Sequence, residues 1–328
     1  MIAQLDAKYI RSNPGRVFPR LLSYFFFEGR PLTTSGRWFN PITFAALRKA
    51  GTSAVNPAAE HPVFITGTGR SGTTILGKVL SVHPEIGFLN EPKAIWHLAN
   101  PADDLIGNYT DTPGNYFLST DDVTPDNSHL VKAIYSTYLK LSGTHVILDK
   151  YPEMIFRTDY INKLFLNPRF IFLHRNPWDT IRSTAQWSAV HGNDQNDWWG
   201  RNQRKWRLLT EQVVSKDTSL AEHQQVISAF TSQHDKAATE WIVTMNKAVE
   251  SMKLFPDRFI RIGYENLTDH PEESLNNICR FIGVNSNQQM IAYGKGILKA
   301  HQSHQPVSIH RVLEEPLRKA AAALGYLL

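Results

Sequence analysis

The chain is poor in the residues that would tie it to a disulfide scaffold or a metal. Its single cysteine, Cys279, excludes an internal disulfide and any multi-cysteine metal site. The residues around it place it on a buried helix face rather than in a reactive setting. The 13 histidines make no compelling cluster, and HQSH at 301–304 has the wrong spacing for a helical H-E-x-x-H zinc site. No metal is expected. There is no apolar run of 18 residues, and MIAQLDAKYIRSNPGR lacks the continuous apolar segment of a secretory signal. Cytoplasmic placement is therefore expected. No repeat or second boundary divides the chain, and basic and aromatic residues do not recur along a track of the kind that binds nucleic acid.

What is present is unevenly distributed. The formal charge is +5, yet residues 1–50 carry eight basic side chains against only Asp6 and Glu28. Within them, FPRLLSYFFFEGR sets a run of aromatics beside arginines. Such an extension either packs a helix onto the rest of the chain, or rests on an anionic lipid surface at the inner membrane face, or docks an acidic acceptor. Residues 51–328 then read as one domain, with surface excursions at 99–129 and 190–233 that would face an acceptor. Helical packing of Trp198, Trp199 and Trp206 is the alternative for the second excursion.

Short apolar runs ending in glycine or charge predict buried parallel strands at 61–67, 86–92, 144–152, 168–177 and in DRFIRIGYENL. Between them lie helical patterns after residue 73, over 131–143, over 236–252 and in PEESLNNICRFIG. The result is an α/β chain whose sheet is mainly parallel. Ligands of such sheets sit beyond the carboxyl ends of the strands.

At the end of the first run stands TGTGRSGTT, Thr66 to Thr74, with the G-x-x-x-x-G spacing of a phosphate cradle from Gly67 to Gly72. Backbone N–H groups and the start of the following helix would hold an anion, with Arg70 adding charge and Ser71, Thr73 and Thr74 adding hydroxyls. Thr73 stands where a nucleoside-triphosphate loop has lysine, which argues against a magnesium-dependent triphosphatase. A purely structural glycine turn is the plain alternative.

FITGTGRSGTTILGKVLSVHPEIGFLNEPK, 64–93, resembles the first motif of sulfotransferases that use 3′-phosphoadenosine 5′-phosphosulfate (PAPS), and IFLHRNPWDTIRS, 171–183, resembles their second. ILDKYP, 147–152, and RIGYENLTDHPEESLNNICRFIGV, 261–284, extend the likeness, whereas the first 50 residues and the excursions have no counterpart. The resemblance implies a P-loop-like three-layer sandwich with a mainly parallel central sheet and peripheral helical insertions. It implies that Arg70, Ser71, Gly72, Thr73 and Thr74 cradle the 5′-phosphosulfate of PAPS. Arg175 and Ser183 would hold the 3′-phosphate, with Tyr264 supporting the site.

For chemistry, the position of Glu91 resembles that of the acid/base glutamate in protein-tyrosine and several carbohydrate sulfotransferases, with a capping or salt-bridging role as its alternative. Lys150 would donate to the leaving oxygen, Arg70 would stabilise the phosphosulfate from the other side, and His97 is a lesser candidate base. The late R-K-G contact of some members is absent, with Arg311 a weak substitute. The acceptor implied is a hydroxyl of a carbohydrate, glycolipid or other small metabolite. A noncatalytic nucleotide-binding protein and a phosphotransferase remain as other readings.

Overall fold

A computed structural model describes residues 2–30, 36–192, 196–298 and 305–328. Its centre is a sheet of β1 (Val63–Gly67), β2 (Ile86–Asn90), β3 (Val146–Lys150), β4 (Arg169–His174) and β7 (Phe259–Gly263), in the order β2-β3-β1-β4-β7. Every pairing is parallel. Between β4 and β7 the chain also makes a two-stranded antiparallel ribbon, β5 (Asn196–Asp197) and β6 (Gly200–Arg201).

Alternation along the strands explains the layers. Val63 and Ile65 of β1 join Leu76, Val79, Leu275 and Ile278 on one face, whereas Phe64 joins Trp96, Tyr135 and Phe170 on the other. Helices Thr73–Leu80, Pro271–Ile282 and Gln288–Ile297 therefore cover the first face, and Lys93–Ala99, Pro125–Ser142 and Thr158–Leu164 the second. A further core gathers around the helix Gln233–Leu254 and includes Trp199, Trp206 and Trp241. Among the described residues no helix is long and apolar enough to cross a membrane. Cys279 is buried on the helix Pro271–Ile282, and burial pushes its thiol up to about 11.

The strand order fixes where a ligand can sit. From β1 the chain passes to β2 on one side, whereas from β4 it passes to β7 on the other. Adjacent strands whose connections diverge leave a crevice at their carboxyl ends. The glycine loop and Arg175 flank that crevice.

β2 lies at an edge of the sheet, and its outward backbone groups need partners. Side chains of the N-terminal segment supply them. From the helix Val17–Phe26, Arg20 donates to the Phe88 carbonyl at 2.8 Å, and Glu28, just past its end, accepts from the Asn90 N–H at 2.9 Å. Arg16 donates to the Ile86 carbonyl. Arg20 and Glu28 also pair with each other at 2.9 Å, both almost fully buried. Removing one partner strands the other charge in a dry site, which costs about 3–5 kcal/mol. Arg20→Ala should therefore lower the unfolding free energy in urea by about 3 kcal/mol or more. A loss within about 0.5 kcal/mol, ordinary for a surface change, would refute this clamp.

Candidate active site

The crevice begins where β1 meets β4. Gly67 has φ +149°, and a Cβ there would lie 2.3 Å from the Leu173 carbonyl oxygen. Only glycine lets the two strand ends run this close. The loop that follows holds itself together: the Ser71 hydroxyl donates to the Thr68 carbonyl at 2.7 Å. Ser71 is fully buried, so its hydroxyl shapes the loop and is not presented to a ligand, contrary to the role expected for that group. Gly72 has φ +98°, and a Cβ there would strike the Tyr264 ring at 2.4 Å. No side chain caps the first turn of the helix Thr73–Leu80, which leaves its opening N–H groups for an anion.

The second motif closes on this loop. Arg175 follows β4, and its guanidinium lies 4.7 Å from the centre of the Tyr264 ring, 4.0 Å from Asp179, and 3.4 Å from the Arg70 carbonyl oxygen. Ser183, within the helix Pro177–His191, accepts from Nε of Arg70 at 3.2 Å. The two motifs thus meet through Arg70, which itself adopts a left-handed φ of +66°. Glu265 holds the turn from behind: it accepts from the Asn176 N–H at 2.8 Å and from the Tyr326 hydroxyl at 2.9 Å. Since Tyr326 spends its proton on Glu265, the Nδ1–H of His174 must donate to the Tyr326 oxygen, 2.9 Å away. Burial lowers the His174 pKa to about 4, so the ring is neutral. It is a positioning group at the strand end.

Two cavities adjoin at the glycine loop. The larger, about 440 Å³, is lined by Arg70, Gly72, Thr73, Thr74, Arg175, Ser183 and Tyr264, together with Lys78, Gln4 and Asp6. The smaller, about 210 Å³, is lined by Glu91, Lys93, Lys150, Glu153, Lys205 and Trp198, and shares Arg70, Thr73 and Thr74 with the first. Glu91 stands just past β2 with φ +50°, its N–H bonded to the Lys150 carbonyl at 2.7 Å. The buried ammonium of Lys150 donates to one of its carboxylate oxygens, and Lys93 lies 3.4 Å from the other. Burial favours the protonated acid, but the two lysines prevail and hold Glu91 at about 2. The salt-bridging alternative for Glu91 is thus realised, within the cavity where a base would stand.

Several lining groups were not among the residues expected from the sequence. Lys93 follows Glu91 by two positions, and that proximity was its only local signal. Lys205 pairs with Glu240 at 2.6 Å and Glu153 at 3.5 Å, and Trp198 donates to Glu240 at 2.8 Å. These partners come from distant segments and carry no shared pattern. Trp198 packs so tightly on the loop that a Cβ at Gly69 would lie 2.2 Å from its ring.

Other candidates fall away. His97 packs against the rings of Phe44 and Tyr109 and lines neither cavity. His83 is a turn residue, its Nδ1 accepting from the Glu85 N–H. Arg311 is exposed and likewise lines neither cavity, and HQSH at 301–304 lies outside the described residues. Among the described residues no group of three or more His, Cys, Asp or Glu is placed to hold a metal.

Comparison with known proteins places this geometry in a family. Residues 62–288 match the model of the sulfotransferase family. Protein-tyrosine sulfotransferase 2 of Gallus gallus is 22% identical over 232 residues, covering 68% of this chain and 51% of that protein. Nodulation protein NoeE of Sinorhizobium fredii is 30% identical over 123 residues, covering 35% of this chain and 29% of its own. The chain thus spans about half of the first and less of the second. Among solved structures, the sulfotransferase domain from the curacin biosynthetic pathway superposes with a TM-score of 0.52 at 16% identity, over 82% of this chain and 98% of that one. That likeness bears on the fold alone. With a family model covering more than half its length, the chain belongs to the sulfotransferase family.

Proposed function

We propose that this protein transfers a sulfonate group from PAPS to a hydroxyl of a carbohydrate, glycolipid or other small metabolite. The observation that carries this reading is the meeting of two cavities at Arg70, Thr73 and Thr74, one cationic with an uncapped helix start and the other holding Glu91 and Lys150. The donor belongs in the first, where Arg175 and Ser183 would take its 3′-phosphate and the loop its 5′-phosphosulfate. When bound, it supplies the electrophilic sulfonate and a bridging oxygen that gains charge as it leaves. The acceptor hydroxyl belongs in the second cavity, with Glu91 to receive its proton and Lys150 to donate toward the bridging oxygen.

The ion pair between those two residues sets an order of events. A carboxylate held at about 2 is a weak base for a hydroxyl, since a general base works best near the operating pH. An incoming phosphosulfate competes for the Lys150 ammonium, and as Lys150 turns to it the pKa of Glu91 rises. Donor binding therefore prepares the base.

Charge balance in the smaller cavity bears on the acceptor. Lys93 and Lys150 are paired with Glu91, and Lys205 is paired with Glu153 and Glu240. Cations already neutralised offer little to an acidic peptide. A space of about 210 Å³ beside Trp198 suits a single uncharged ring that carries hydroxyls.

Binding and chemistry can be separated by mutation. In calorimetry, R175A and S183A should weaken 3′-phosphoadenosine 5′-phosphate but leave adenosine 5′-phosphate nearly unchanged; equal losses for both ligands would contradict the 3′-phosphate assignment. E91Q and K150A should still bind 3′-phosphoadenosine 5′-phosphate, yet lose about 10²-fold or more in single-turnover sulfonate transfer. If E91Q keeps a near-wild-type chemical rate, Glu91 is not the base. Donor binding without any release of 3′-phosphoadenosine 5′-phosphate across a broad acceptor panel would favour a noncatalytic nucleotide-binding role.

Stability against pH reports on the same carboxylate. Its pKa is lowered on folding from 4.5 to about 2, so it contributes stability above about pH 4.5 that is lost as pH falls through about 2. In urea unfolding, the advantage of wild type over E91Q should be constant above about pH 5 and shrink between 4.5 and 2. A difference that stays the same down to pH 2 would show that Glu91 is not held ionised by its lysines.

A further inference from the structure

The larger cavity has a wall that no motif announces. Besides Arg70 and Arg175, the described residues give it a third cation, Lys78, and a single carboxylate, Asp6. Lys78 lies four residues after Thr74 on the helix Thr73–Leu80, hence on the same face and one turn deeper along the cavity. Asp6 comes from the far end of the chain. Its carboxylate takes a hydrogen bond from the Lys78 ammonium and another from the Tyr9 N–H, at 2.7 Å, as the N-cap of the helix Ala7–Ser12.

This segment is built into the wall rather than draped over it. Tyr9 is buried, its hydroxyl 2.9 Å from the Ser81 hydroxyl and its ring edge-on to Tyr293 at 5.5 Å. Lys8 donates to the Gly296 carbonyl at 2.6 Å. Arg20 hydrogen-bonds Gln4, which also lines the cavity. The segment bridges the helices Thr73–Leu80 and Gln288–Ile297 at one end of the cavity.

A carboxylate facing a cavity for a polyanion is unfavourable unless a cation neutralises it. Lys78 does so here, and among the described residues Lys78 is also the one lysine that lines this cavity. We infer that Lys78 is a third cationic ligand for the donor's phosphates and that Asp6 of the N-terminal segment competes with those phosphates for it. This inference rests on the donor-site reading above. It assigns part of the N-terminal segment to tuning donor affinity, on the side of the site away from the chemistry.

Calorimetric titration of the full chain with 3′-phosphoadenosine 5′-phosphate tests it. K78Q should weaken binding about tenfold or more, and K78R should recover most of the loss. D6N removes the charge but keeps a good N-cap, so the helix survives and binding should tighten, more at low salt than at high. Wild-type affinity in K78Q overturns the role of Lys78, and weaker binding in D6N overturns the competition. R175A is the control: if it loses discrimination for the 3′-phosphate while K78Q binds normally, the donor site stands and this inference falls. If R175A is also unchanged, the donor reading itself falls.

Discussion

The architecture depends on the close approach of β1 and β4 at their carboxyl ends. With Gly67 against the Leu173 carbonyl, the two strands finish side by side, and the segments that follow them begin at a common point. From there the chain turns one way through the glycine loop and the other way through Arg175. A side chain at position 67 would force the strands apart, and the distance between the loop and the second motif would grow with them. The contacts from Arg70 to Ser183 and from Arg175 to the Arg70 carbonyl follow from that one spacing. Tyr264 completes the arrangement from β7, packing under Gly72 and beneath the guanidinium of Arg175. Three strands of the sheet therefore converge on the larger cavity.

The opposite end of the sheet is governed by a different need. β2 must end where Glu91 can face Lys150 of β3, yet it is an edge strand with unpaired backbone groups on its outer side. The N-terminal segment supplies those partners through Arg16, Arg20 and Glu28, and the same Arg20 holds Gln4 at the larger cavity. Its basic character thus has a specific structural use. Arg30 lies 3.3 Å from the centre of the Tyr24 ring, a further cation engaged within the segment. Phe18 and Trp38, by contrast, remain exposed at 63% and 79%, so the aromatic excess is only partly accounted for by packing.

Much of the scaffold was legible because its signals are local. An apolar run closed by glycine, a helical period and a proline stop each occupy a few consecutive residues, and the five strands fall within the ranges they predict. Arg175 and Ser183 were singled out by the resemblance, and an offset of eight across a strand-to-helix turn brings both to the larger cavity. The strand order was not legible, and neither were the contacts that depend on it. Lys205 meets Glu153 and Glu240, and Asp6 meets Lys78, only after the chain has folded back across the sheet. Adjacent tryptophans illustrate the limit well. Trp199 enters the core while Trp198 faces the smaller cavity, and nothing in the pair WW says which is which. Ser71 is a subtler case, since loop composition offers a hydroxyl and only the backbone path shows that Thr68 consumes it.

The left-handed conformations of Arg70 and Glu91 tie these points to chemistry. Positive φ at a non-glycine residue costs about 1–3 kcal/mol and persists only where the surroundings hold it. Arg70 is held by Ser183 and by Arg175 at its carbonyl, and Glu91 by Lys150 through both backbone and side chain. Arg70, in the loop after β1, lines both cavities, and Glu91, at the end of β2, lines the smaller one. Were either relaxed into an extended conformation, its side chain would point elsewhere and the cavities would lose that charge. The neighbouring contacts are therefore best understood as the source of the energy that keeps this pair in place.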